Sequence, residues 1–227
     1  MKKFVMFGQN PLFGDYADLI HAMGGRISRV VVNVPDPPRE NQKSFADRLA
    51  EYNDWLAANG DPMPVEVVDL GEYVPDPAET AVLGFRGLSS RPLRERLKNE
   101  FGIKFPPLIH PNAFVSPMSE VGEGTIVCSL ADMGSFAKIG AFGVLNRCAS
   151  MGHDTVAGDD VDISPNATLG SNIRVEDGVR VGLNSTVIEH LTLGEYCFVA
   201  AGAAVISDVP PGALVAGVPA IVKKQRD

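Results

Sequence analysis

The chain has 227 residues, 45% hydrophobic and 21% charged, enough apolar material for a folded core and too apolar for a disordered chain. Twenty Lys and Arg stand against 28 Asp and Glu, a net charge of −8 in which no run of Lys or Arg stands out, which argues against a nucleic-acid surface. No apolar stretch approaches the roughly 18 residues of a spanning helix, so no membrane insertion is expected.

Residues 3–7 read as a first strand and 15–23 as a helix closed by Gly24-Gly25. A β-branched strand follows over 27–34, then the proline-rich turn Pro35-Asp36-Pro37-Pro38. Residues 44–59 form an amphipathic helix, capped by Ser44 with Asp47 three residues on and stopped by Gly60. Strands over 65–70 and 80–85 and a helix over 91–101 complete the alternation. Such a pattern predicts a small Rossmann-like parallel sheet in an α/β domain over residues 1–106. Ligands of open parallel sheets lie at the carboxyl ends of the strands. That draws attention to the turn after the first strand, with Gly8 and Asn10, and to Gly84-Phe85-Arg86. The turn is not GxGxxG, and Arg86 reads equally as a phosphate partner or as a solvated arginine.

From Val115 to Val205 every sixth residue is Val, Ile, Leu or Met, with Ala157 the one exception. The residue two before each is mostly small: Ala113, Thr125, Ala137, Ala149, Ala167, Ala203. The residue after is often glycine, as at Gly122, Gly140, Gly152, Gly158, Gly170, Gly182 and Gly194. A period of six fits neither an α-helix nor a simple strand. It fits a three-sided parallel β-helix of about 18 residues per coil, with aliphatic and small residues inside and glycine relaxing the backbone at each bend. Residues 107–227 are therefore read as a left-handed parallel β-helix with a Pro/Gly-rich cap and a basic tail, Lys223-Lys224-Gln225-Arg226. Three cysteines, Cys128, Cys148 and Cys197, with no CxxC pair, suit a reducing cytoplasm better than a disulfide framework or a cysteine zinc site.

With both halves in view, the chain resembles the hexapeptide-repeat sugar acyltransferases of the sialic-acid O-acetyltransferase type, which include N-acetyltransferases of nucleotide-linked amino sugars. The likeness is strongest from Leu108-Ile109-His110-Pro111-Asn112-Ala113 through Val215-Ala216-Gly217-Val218-Pro219-Ala220. It implies an acetyl-CoA-dependent transfer to an amino or hydroxyl group of a sugar or nucleotide sugar, no metal, and a homotrimer with sites between subunits. In Met151-Gly152-His153-Asp154 it implies His153 as general base and Asp154 as its carboxylate neighbour, with Asn146 near the acceptor. Two positions depart from the family pattern: Gly152 where an acid is usual, and Asp162 where a second histidine is usual. Adding one coil to His153 gives Ser171, whose N–H would face the developing oxyanion. Acetyl-CoA would lie along a groove lined by Gly170, Ser171, Gly182, Gly202 and the basic tail. His190, beside Glu189, is a rival base; His21 reads as a surface residue and His110 as a cap on the first coil. The same coil can also build a carbonic-anhydrase-like zinc enzyme or a non-catalytic scaffold.

Overall fold

The computed structural model describes residues 1–9, 12–33 and 43–225; Asn10, the 35–38 turn and Arg226 lie outside the described residues. The chain divides into two compact units, one of residues 1–85 with 90–105, the other of 86–89 with 106–227.

The first unit is a four-stranded sheet of β1 (Lys2–Phe7), β2 (Gly25–Val32), β3 (Glu66–Asp69) and β4 (Glu79–Leu83). The strand order is β3-β2-β1-β4 and every pairing is parallel. Phe4, Val5, Met6 and Phe7 are all buried, as a strand covered on both faces requires. Helices α1 (Phe13–Ala22), α2 (Phe45–Ala58) and α3 (Arg91–Phe101) match the expected elements within two residues. The cap on α2 is the one the sequence indicates: the Asp47 N–H donates to the Ser44 hydroxyl oxygen, and the Asp47 carboxylate accepts from the Ser44 N–H. Phe13 meets Phe45 and Tyr52 edge-on at 5.6 and 5.4 Å, joining α1 to α2. Arg26, buried, pairs with Asp61 at 2.6 Å and also donates to the Met63 carbonyl.

The second unit is the left-handed β-helix. Its two-residue strands stack in parallel at a spacing of 18 residues, as in Asp132–Met133, Ser150–Met151 and Thr168–Leu169. Face one carries Val144–Leu145 and Asp162–Ile163, face two carries Ser150–Met151, and face three carries Val156–Ala157. The six-residue slots and the small residues two before them fill one continuous core, including Leu145, Ala149, Met151, Ile163, Ala167 and Leu169. The coiling starts one slot earlier than the sequence pattern indicated, since Leu108–Ile109 already pairs with Ile126–Val127.

The glycines after the slots work differently from the expectation. None of Gly122, Gly140, Gly152, Gly158, Gly170, Gly182 and Gly194 is among the residues of positive φ. They are there because neighbouring coils touch: a Cβ on Gly122 would lie 2.4 Å from the Gly140 backbone, and one on Gly182 2.7 Å from the Ala201 nitrogen. The bend itself lies two residues further on. Every sixth residue from Gly124 to Gly202 has φ between 54° and 68°. Each is the third residue of a tight turn, the place where a type II turn demands positive φ. This conformation also keeps the coil ladder unbroken around the corner: Asp154 N–H donates to Ser135 O, Asn172 to His153 O and His190 to Ser171 O. For Leu130, Phe136 and Tyr196 the conformation costs about 1 kcal/mol or more each, offset by that stacking.

The last coil is shorter. Leu193 bridges Val209 and Val199 pairs with Val215, a spacing of 16 residues. The two residues are lost between Val205 and Val209. An antiparallel pair, Ala213–Ala216 with Ile221–Gln225, then closes the end.

Candidate active site

The tight turns at the corners display side chains away from the flat faces of the β-helix. The turn 152–155 joins face two to face three. Its first residue, Gly152, lies against the next coil, where a Cβ would stand 2.6 Å from the Gly170 backbone. A side chain added at Gly152 would have to move that coil. The second residue is His153 and the third, at φ 58°, is Asp154; aspartate is among the few side chains that adopt this conformation readily. The fourth, Thr155, is buried, donates to the Gly170 carbonyl and accepts from the Ile173 N–H, fastening the turn to the coil above.

The consequence is a His153 Nδ1···Asp154 Oδ2 contact of 2.8 Å with both side chains more than half exposed or half exposed, at 60% and 50%. The Asp154 carboxylate is placed to accept from an Nδ1–H, which in the neutral imidazole leaves Nε2 as the acceptor nitrogen. Ser171 occupies the equivalent turn position one coil up, and Glu189 two coils up. His190 stands in the other column of the same edge, above Asp154 and Asn172, in the positive-φ position. Within this chain the described His, Cys, Asp and Glu residues form no cluster of three arranged to hold a metal.

The backbone of this edge differs from that of the edge joining face three to face one. There the N–H groups of Ala141 and Asp159 are taken by the carboxylates of Asp159 and Asp177 from the coil above, at 2.7 and 2.8 Å. At the same turn position on the His153 edge, neither the His153 nor the Ser171 N–H has an acceptor among the described residues. Sequence reasoning missed this contrast; the aspartates at 159 and 177, eighteen apart, were its only visible sign.

Gly170 and Ser171 share the edge of His153. Asn146, Gly182 and Gly202 stand on a different one, between faces one and two, so a groove along a single edge of one chain does not join all the expected acetyl-CoA residues. Asn146 is buried and its Oδ1 accepts from the Arg147 N–H. Asp162 lies on face one between Val144 and Arg180 in register, off the histidine's edge. An open hollow of about 420 Å³ lies on face three beside Asp154, lined also by Asn172, Arg174 and Glu176. His110 caps its turn by accepting the Asn112 N–H on Nδ1, and His21 is exposed and packs edge-on against Trp55 at 4.7 Å.

In the first unit, Gly8 follows β1 at φ 85°, and a Cβ there would lie 2.5 Å from the Phe85 ring and 3.6 Å from Asn33 Oδ1. A Cβ on Gly84 would lie 2.3 Å from the Gly8 carbonyl oxygen. The carboxyl ends of β1, β2 and β4 thus bring together Gly8, Asn33 and Gly84-Phe85. Asn33 was not singled out from sequence; only its place just past β2 marks it. Arg86 is half-buried and opens the 86–89 segment that groups with the second unit.

No protein-family model matches the chain. A stretch of 55 residues is 49% identical to 2,3,4,5-tetrahydropyridine-2,6-dicarboxylate N-acetyltransferase of Staphylococcus aureus; it covers 24% of this chain, which spans only 23% of that relative. Among solved structures, the acetyltransferase domain of PglB from Neisseria gonorrhoeae superposes with a TM-score of 0.76 at 25% identity, covering 98% of this chain and 100% of that one. A variant of perosamine N-acetyltransferase from Caulobacter crescentus, solved with CoA and GDP-perosamine, shares the fold at TM-score 0.77 and 22% identity, over 98% and 97% of the two chains. WeeI from Acinetobacter baumannii does so at 0.74 and 20%, over 97% and 99%. A two-unit architecture matched end to end, the six-residue coil and the locally identical stretch make this chain similar to these hexapeptide-repeat acetyltransferases.

Proposed function

We propose that the protein transfers the acetyl group of acetyl-CoA to the amino group of a nucleotide-linked amino sugar. The observation that carries this reading is the His153–Asp154 pair, a histidine whose Nδ1 meets a carboxylate at 2.8 Å on the edge where the His153 and Ser171 N–H groups have no acceptor among the described residues. The similar PglB domain has been solved with acetyl coenzyme A, and the perosamine enzyme with CoA and GDP-perosamine; these support the choice of substrates.

In this reading the sugar amine attacks the thioester carbonyl carbon and a C–N bond forms. His153 Nε2 takes the amine proton, and Asp154 stabilises the imidazolium. The carbonyl electron pair moves onto oxygen, toward the Ser171 N–H. The oxyanion then collapses, the C–S bond breaks, and the CoA thiolate leaves with the proton from His153. Gly8, Asn33 and Phe85 at the sheet's carboxyl ends are candidates to hold the nucleotide, with Asn10 and Arg86 as further contacts and Asn146 near the acceptor; Gly170, Gly182 and Gly202 are assigned to acetyl-CoA.

A single coil offers an edge rather than a cleft. A homotrimer would close each His153 edge against a neighbour, and the exposed Met118, Phe136, Ile188 and Ile206 on that edge favour such a contact. It would also let residues from two different edges meet in one site. No helix among the described residues is long and apolar enough to cross a membrane; the cytoplasm, which keeps thiols such as Cys148 reduced, is the compartment this reading assigns.

The test is a panel of nucleotide amino sugars with acetyl-CoA, followed by thiol release. His153→Ala is expected to lower kcat by about 10²–10⁴-fold while leaving CoA binding and the melting temperature unchanged. Full turnover by that variant would remove the assignment of the base.

A further inference from the structure

We propose that the Ser171 hydroxyl is a second hydrogen-bond donor to the thioester oxygen, acting beside the N–H of the same residue. This rests on the acetyl-transfer reading above. A Cβ built on Gly152 would stand 2.6 Å from Ser171 Oγ, so the serine side chain hangs toward the coil below, into the space that a side chain at 152 would otherwise fill. The Gly170 backbone, also 2.6 Å from that Cβ, keeps position 152 bare, and the Ser171 hydroxyl lies in the space left there. The hydroxyl therefore lies beside the backbone that leads into His153, on the edge where the reacting carbonyl is placed.

It is also uncommitted. At the fourth position of the turns, hydroxyls are spent on backbone carbonyls, Ser119 on Gly134, Thr125 on Gly140, Thr155 on Gly170 and Ser185 on Gly182, and two coils below Ser171 in its own column the Ser135 hydroxyl accepts from Ser116. Ser171 Oγ has no hydrogen-bond partner among the described residues, and neither has its N–H. One residue thus offers two free donors, half-buried, one coil above the base. Donors of this kind act on charge that develops only in the transition state, so their loss should appear in kcat rather than in ground-state binding.

Ser171→Ala and Ser171→Thr should be compared with the parent in steady-state kinetics, with CoA affinity measured by calorimetry. Ser171→Ala is expected to lower kcat about 10–100-fold, with KM for acetyl-CoA and Kd for CoA within about twofold. Ser171→Thr, which keeps the hydroxyl, is expected to recover most of the loss. A parental kcat for Ser171→Ala overturns the proposal, as does a loss that appears equally in CoA affinity or is not relieved by threonine. The parent reading is separated by His153→Ala in the same assay: if that variant is inactive while Ser171→Ala is unimpaired, only the hydroxyl's role fails; if His153→Ala is fully active, the whole acid–base scheme does.

Discussion

Asp154 has two tasks that few residues combine. It must occupy φ 58° at the corner and present a carboxylate 2.8 Å from His153 Nδ1. Asparagine would meet the backbone demand alone, and glutamate the charge alone with a less favourable backbone. The His-Asp pair and the 18-residue offset to Ser171 can be found in the sequence because the coil makes position arithmetic reliable. Asn33 and the open N–H of Ser171 cannot, since each depends on what a neighbouring strand or coil does or does not supply. The three cysteines illustrate the same dependence. Cys148 is exposed at a corner, whereas Cys197 sits inside the coil and burial pushes its thiol up to about 12. Because the thiolate is the reactive form, a thiol-specific chromogenic reagent at pH 8 should label Cys148 in the native protein and Cys197 only after unfolding. Native-state labelling of Cys197 at the rate of Cys148 would contradict its burial.

At the level of the coil, two constraints, each recurring every six residues, explain the repeat. The slot and the small residue before it set the interior, while the glycine after the slot lets one coil lie on the next. Gly122→Ala places a methyl 2.4 Å from the Gly140 carbonyl carbon and oxygen, which cannot yield without opening the ladder; a loss of about 1–3 kcal/mol is expected. Gly14→Ala is the contrasting case, in α1 with nothing within 4 Å of the new methyl, and should gain about 0.5–1 kcal/mol from helix propensity. Chemical denaturation of the two variants measures both; a neutral Gly122→Ala would mean that coil contact is not why glycine stands there. The expectation that these glycines relax the bend failed for a definite reason. The period of six identifies a recurring need for glycine but not its kind, and close approach and positive φ look alike in a sequence until the phase of the turn is known.

At the scale of the whole molecule, the site as read is incomplete in one chain. Gly170 and Ser171 follow one edge, and Asn146, Gly182 and Gly202 another, so on the proposed assignment their joint use of acetyl-CoA and acceptor would need edges from more than one copy. Sedimentation analysis at micromolar concentration should give three times the chain mass. A monomer with full activity would remove the need for a neighbour and with it the shared site. The first unit contributes its own order through Arg26, buried and paired with Asp61, whose carboxyl is held below its ordinary value chiefly by the hydrogen bond from Arg26. That contribution to stability is present above the ordinary carboxylate range and is lost as pH falls through the lowered value.

Local and periodic features were settled by the amino-acid order alone: the Ser44 cap, the alternation of strands and helices, the coil of 18 and the column that carries His153 and Ser171. They follow from short-range geometry and from a repeat in which each coil sees nearly the same surroundings. Folding in three dimensions decided the rest, namely which glycines are held by a neighbouring backbone, where the final coil loses two residues, which corner keeps its N–H groups open and which strand ends gather Gly8, Asn33 and Phe85. Those outcomes depend on atoms distant in the chain that compete for the same space and the same hydrogen bonds, and no local pattern records the result of that competition.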